Sequence, residues 1–167
     1  MKKILIPVVA IFVLAFAACN GTGYSDPVKY NDDVVTQQSN VYDKLDSLET
    51  ILNDDVIDEE ACEGAFKDAI AITDAAIKKL EEMGAYKDDA TFQKAGIDLF
   101  TQVKSLLEND YRDLYELYKK PIEDWEDADF DSMYDIWDAI DYGIIDKEDA
   151  FLDAQQNFAD TYNIVLY

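Results

Sequence analysis

Asp127, Asp129, Asp131, Asp135 and Asp138 fall at positions 1, 3, 5, 9 and 12 of the twelve-residue loop template that wraps calcium in carboxylate oxygens. Hard oxygen donors at that spacing are the most metal-like signal in the chain. Three residues depart from the template. Ser132 stands where the sharp turn calls for glycine, Asp138 where a bidentate glutamate is usual, and Tyr134 where an apolar residue is usual. An acidic helix start, with Asp129 and Asp131 at the positive end of the helix dipole, accounts for the same residues. Calcium is thus the alternative reading of residues 127–138, and no other cofactor is expected.

Glu123, Glu126 and Asp127 beside Trp125 are the residues that acid–base chemistry on a glycan would use, with the indole as a stacking face. Such chemistry needs one carboxyl in a pocket that raises its pKa. Nothing in the pattern encodes that pocket, and a solvated acidic face explains the same residues. The chain has no histidine and only six glycines, scattered singly. It therefore lacks the commonest general base, and it carries no glycine-rich phosphate loop and no nucleophile elbow. No catalytic residue is assigned.

Tyr111, Tyr115 and Tyr118 recur at spacings of four and three, and Trp125, Tyr134 and Trp137 follow. The stripe reads as a broad core face with hydroxyls at its rim. The functional alternative is an aromatic interaction patch within residues 111–142, because tyrosine and tryptophan dominate protein interfaces.

These residues sit in a strongly acidic chain. Against 37 acidic residues stand 14 basic ones, a net charge of -23 over 167 residues, which repels a phosphate backbone and excludes nucleic acid as a partner. Apolar residues make up 49% of the chain, enough for a packed core and too many for a disordered one.

The N-terminus follows the export pattern. Lys2 and Lys3 precede an apolar run from Ile4 to Ala18, 15 residues interrupted only by Pro7. A membrane-spanning helix needs about 20 residues, so the run reads as a signal peptide. Phe16-Ala17-Ala18-Cys19 resembles the lipobox of bacterial lipoproteins, with Phe16 where leucine is usual. That resemblance implies acylation of Cys19, cleavage before it, and attachment to the membrane through several acyl chains, each buried CH2 adding about 0.8 kcal/mol. Ordinary cleavage after Ala18 is the competing reading. With Cys19 acylated, Cys62 has no disulfide partner and is expected to be a small buried core residue.

Loss of residues 1–18 would remove two lysines and no acid, moving the charge from -23 to -25. The expected organisation is a signal peptide at 1–18, a lipidated tether at 19–27 and a helical domain at 28–167. The expected location is exported and membrane-anchored, on the outer membrane or cell surface rather than the inner membrane.

The period of the domain is helical throughout. Val34, Gln38, Val41, Leu45, Leu48 and Leu52 alternate at four and three, as do Cys62, Phe66, Ala69 or Ile70, Thr73, Ile77 and Leu80. Gly84 closes the second segment. Asp89 caps a third that carries Phe92, Gly96, Leu99, Val103, Leu106, Leu114 and Leu117 up to Pro121. A short helix opens at Asp131-Ser132, Gly143 weakens it, and Asp146 with Asp149 opens a last helix facing inward through Phe151 or Leu152, Gln155, Phe158 or Ala159, and Tyr162. The expectation is an all-α, up-down antiparallel four-helix bundle whose fourth helix is kinked or split near Gly143.

Residues 30–38 (Tyr-Asn-Asp-Asp-Val-Val-Thr-Gln-Gln) and 154–164 (Ala-Gln-Gln-Asn-Phe-Ala-Asp-Thr-Tyr-Asn-Ile) resemble an uncharacterised family of bacterial helical surface lipoproteins. The resemblance implies an exported helical lipoprotein and transfers no activity or site residue. The functional expectation is a non-catalytic interaction module at the cell envelope, binding a protein or an envelope component.

Overall fold

The computed structural model describes residues 24–54 and 56–166. The signal segment and Cys19 lie outside the described residues. The chain is all-helical, and among the described residues no strand forms beyond an isolated bridge between Tyr86 and Asp89.

Local chemistry sets most of the boundaries. The Asp26 carboxylate accepts the Val28 N–H at 2.9 Å, and Pro27 has no N–H to satisfy, so α1 (Pro27–Leu52) begins there. Asp58 accepts the Ala61 N–H at 3.0 Å and starts α2 (Glu59–Met83), which ends where Gly84 adopts a φ of 65°. Asp89 accepts the Thr91 N–H at 2.8 Å just ahead of α3 (Thr91–Glu108).

The third expected helix is broken. At Asn109 the backbone turns to φ -123°, ψ -81°, and the Asn109 side chain donates to Ser105 O at 2.7 Å. Ser105 O accepts the Asn109 backbone N–H as well, at 3.1 Å, so the carbonyl serves both donors at the end of α3. A separate α4 (Asp110–Tyr118) then aims Tyr111, Leu114 and Tyr115 into the core.

The fourth expected helix is corrected in the opposite sense. α5 runs unbroken from Asp127 to Tyr162, 36 residues straight through Gly143. A lone glycine costs a helix about 1 kcal/mol, too little to end one this long. Here it also permits close packing. A Cβ at Gly143 would lie 3.1 Å from both Gln102 Nε2 and Leu106 Cδ2 of α3. Nor does α5 open at Asp131. Ser132 Oγ already bonds Ala128 O at 2.8 Å, as in a helix interior, and the start falls at Asp127 because Asp129 accepts the Glu126 N–H.

α1 packs on α2, α2 on α3, and α5 lies against α3 and α4. The core takes Val34, Val41, Leu45, Leu48 and Leu52 from α1 and Cys62, Phe66, Ala69, Thr73, Ala76 and Leu80 from α2. The expected seam residues Gln38, Ile77, Leu117 and Gln155 are only half-buried. Cys62 is buried and free, and burial pushes its thiol up to about 11.

Two tests follow from this packing. A Cβ on Gly96 would stand 2.6 Å from Leu80 Cδ1 and 3.4 Å from Phe151 Cε2, whereas Gly64 has nothing within 4 Å. Gly96→Val is expected to destabilise by roughly 1–3 kcal/mol through overpacking, and Gly64→Ala to stabilise by up to about 1 kcal/mol. Urea titration reads both, and a neutral Gly96→Val would contradict the close approach.

The phenols of Tyr30, Tyr42, Tyr86, Tyr111 and Tyr115 are all raised, chiefly by burial, Tyr30 to about 12. Unfolded tyrosine ionises near a pKa of about 10. Their contribution to stability is therefore complete below that pH and is lost as pH rises through the folded values. Helicity and tyrosinate absorbance should change together in an alkaline titration. Complete tyrosine ionisation with helicity intact would contradict it.

Candidate functional site

The molecule has two unlike ends. At one, the start of α1 meets the end of α2, the start of α3 and the end of α5. Tyr30 Oη donates to Gly84 O at 2.7 Å, and the Tyr30 ring lies 5.2 Å from Tyr86 and 5.4 Å from Phe158. Phe92 and Tyr162 complete this closed aromatic cluster.

The other end, where α1 ends and α2 begins beside the connection from α4 to α5, is open at two clefts among the described residues it brings together. Pro121 stops the chain after α4, and a 3-10 turn at Ile122–Asp124 leads to α5. Trp125 is held by its Nε1–H donating to Lys120 O at 2.9 Å, by stacking on Tyr118 at 5.9 Å, and by the edge of Phe130 at 5.0 Å. Trp137 Nε1–H donates to Tyr118 Oη at 3.1 Å. Two open clefts flank Ile122. One, of about 310 Å³, is lined by Leu52, Asn53, Asp54, Tyr118, Ile122 and Trp125. The second, of about 330 Å³, is lined by Val56, Ile57, Glu59, Lys119, Pro121, Ile122 and Glu123. Val56 is 84% exposed and Ile122 66%. Both are large apolar side chains in solvent beside these clefts.

The aromatic residues divide between the core reading and the alternative of an interaction patch. Tyr111 and Tyr115 are core residues. Tyr111 donates to Glu49, which with burial holds its phenol far above the ordinary range, and Tyr115 packs 5.7 Å from Phe66. Tyr118, Trp125 and Trp137 are half-buried; Tyr118 and Trp125 line a cleft of the open end, and Trp137 lies behind them against Tyr111. Tyr134 is exposed on α5. Missing from the sequence expectation were Val56, Ile57 and Ile122. The signal was present for two of them, an apolar pair set in an acidic connection between helices.

The calcium expectation meets a different geometry. A calcium loop must wrap the ion, but residues 127–138 are helical from Asp127 onward. Asp127, Asp131, Asp135 and Asp138 recur at four, four and three along that helix, strung out along its axis. Asp129 is committed elsewhere. Its carboxylate accepts the Glu126 N–H at 2.7 Å and pairs with Lys120 at 2.6 Å, and these two contacts hold it below the usual carboxylate range. Among the described residues no three His, Cys, Asp or Glu side chains converge in a way that would hold a metal.

Glu123, Glu126 and Asp127 are exposed to solvent on the rim. With Asp54 and Glu59 they make the open end acidic, because Lys119 and Lys120 are neutralised by Glu116 and Asp129. Every buried side-chain nitrogen and oxygen among the described residues has a hydrogen-bond partner.

Comparison with protein-family models, with curated proteins and with solved structures returned no match.

Asp129 is the residue on which the start of α5, and so the position of Trp125, depends. A depressed carboxyl contributes stability above its ordinary pKa and loses it as pH falls through the folded value. Asp129→Ala should therefore lower the thermal midpoint near pH 7, with the difference from wild type shrinking as pH drops below about 4. An undiminished difference in acid would show that the carboxylate charge is not what holds the turn.

Proposed function

We propose that the protein is an exported lipoprotein, anchored through acylated Cys19, whose helical domain is a non-catalytic binding module at the outer membrane or cell surface. In this reading the helices form an up-down antiparallel four-helix bundle, with α3 and α4 stacked as one column. The partner is a protein or an envelope component.

One observation carries the reading. Tyr24, at the head of the described chain, packs edge-on against Tyr30 at 5.3 Å, so the tether enters at the closed aromatic end. The clefts around Ile122 lie at the other end, one α1 length away. The 26 residues of α1 span about 39 Å at 1.5 Å per residue. A chain held to a bilayer by its N-terminus would carry the clefts outward. The net charge of -23 supports the same arrangement, since an anionic headgroup surface repels such a body and leaves the lipid to hold it.

Cys19→Ala is expected to abolish incorporation of a labelled fatty acid and to move the protein from the membrane fraction to the soluble exported fraction. Membrane retention by the variant would overturn the anchor. Protease treatment of intact cells, with an epitope placed after Tyr167, is expected to remove the epitope. Protection until lysis would place the domain inside the envelope.

A further inference from the structure

An amphipathic helix in a helical domain needs one apolar stripe. α5 has two. The first faces inward through Met133, Ile140, Phe151, Ala154 and Phe158. The second consists of Tyr134, Tyr142, Ile145 and Leu152, all exposed, Tyr142 by 73%. Ile145 and Leu152 are seven residues apart, and Tyr134 precedes Ile145 by eleven, so the three lie nearly in line along the helix at about 100° per residue. From Tyr134 to Leu152 the stripe runs about 27 Å. α3 and α4 occupy the opposite side of α5, and none of the four residues contributes to the core.

The charge on this helix names the occupant. α5 holds eleven acidic residues against one lysine, Lys147. Asp138 and Asp149 lie between the apolar residues of the outer stripe at steps of three and four, on the same side of the helix. A second copy of this strongly acidic chain would bring like charges together along the whole contact. Anionic lipid and nucleic acid are repelled for the same reason. An apolar ridge of this length flanked by unpaired carboxylates is complementary to a helix with an apolar face bordered by lysine or arginine.

We infer that the outer face of α5, through Tyr134, Tyr142, Ile145 and Leu152 with Asp138 and Asp149, docks a cationic amphipathic helix of a protein partner. This rests on the reading of the chain as a binding module and assigns it a second surface, separate from the clefts around Ile122. The apolar contacts supply affinity and the carboxylates select the sign of the partner and speed its approach.

The test is a fluorescence-anisotropy titration of the intact protein with a labelled synthetic helix of leucine and lysine, its leucines at helical spacing. Controls are a peptide of the same composition with the leucines scrambled and a leucine–glutamate counterpart. The amphipathic cationic peptide should bind at least about tenfold more tightly than the scrambled one, and the glutamate peptide should not bind. The combined variant Tyr142→Ser, Ile145→Ser, Leu152→Ser changes only exposed residues. It should lose at least about tenfold for the amphipathic peptide while leaving the scrambled one unchanged, with helicity checked by circular dichroism. Asp138→Asn with Asp149→Asn should weaken binding and flatten its salt dependence.

Equal affinity for the scrambled peptide, or wild-type affinity in the serine variant, overturns the inference by reducing the contact to unspecific charge attraction. Loss of binding on Ile122→Ser with the serine variant unaffected also overturns it, by moving the contact to the clefts. The titration does not involve lipid, so failure of Cys19 acylation leaves its result standing. Failure of the titration in turn leaves the anchor and the clefts untouched.

Discussion

The Tyr30 ring is the contact on which the rest of the architecture depends. It packs against Tyr24, Tyr86 and Phe158, and its hydroxyl closes onto the carbonyl of Gly84. One side chain thereby ties the chain entry, the head of α1, the α2–α3 connection and the tail of α5. Phe92, Tyr162 and Phe151 extend the cluster, and Gln155 adds a hydrogen bond to Asn31 at 3.2 Å. Aromatic pairs at such distances contribute about 0.5–1.5 kcal/mol each beyond their burial. Several converge at one end, where the contacts are farthest apart in sequence. Towards the other end Tyr111 with Glu49 and Tyr115 with Phe66 tie α4 to α1 and α2, and Val56 and Ile122 are left exposed beyond them.

Much of this was legible in the residues themselves. Alternating three- and four-residue spacings identified α1, α2 and the first part of α3, and Asp58, Gly84 and Asp89 marked their ends through local hydrogen bonds that any chain would form. Tyr30 and Asn31 near the head of α1 meet Phe158 and Gln155 near the tail of α5. Cys62 was readable as core because small apolar neighbours surround it.

What was not legible has a common cause, tertiary packing overriding a weak local signal. Gly143 looked like a helix break, but its missing Cβ is what lets α5 approach Gln102 and Leu106. The sequence shows no break at Asn109, yet the backbone leaves helical geometry there. For the tyrosine stripe the core reading holds at Tyr111 and Tyr115, buried beside Glu49 and Phe66, and stops at the half-buried Tyr118. The carboxylates of 127–138 matched a loop template in one dimension and a helix in three. Ile122 and Val56 gave no periodic signal because they lie in connections, where exposure is decided by what happens not to cover them.

In the proposed arrangement the tether lies at the aromatic end and the binding surface at the other. The chain has two tryptophans, Trp125 at a cleft of the open end and Trp137 ten residues into α5, joined through Tyr118 in the half of the bundle away from the tether. Energy transfer from these indoles to acceptor-labelled lipid, with the lipidated protein seated in vesicles through Cys19, reads the polarity directly. The expected result is transfer close to that of a soluble, unlipidated form, because the bundle length separates donors from the bilayer. Efficient transfer would bring the open end to the membrane and contradict the arrangement.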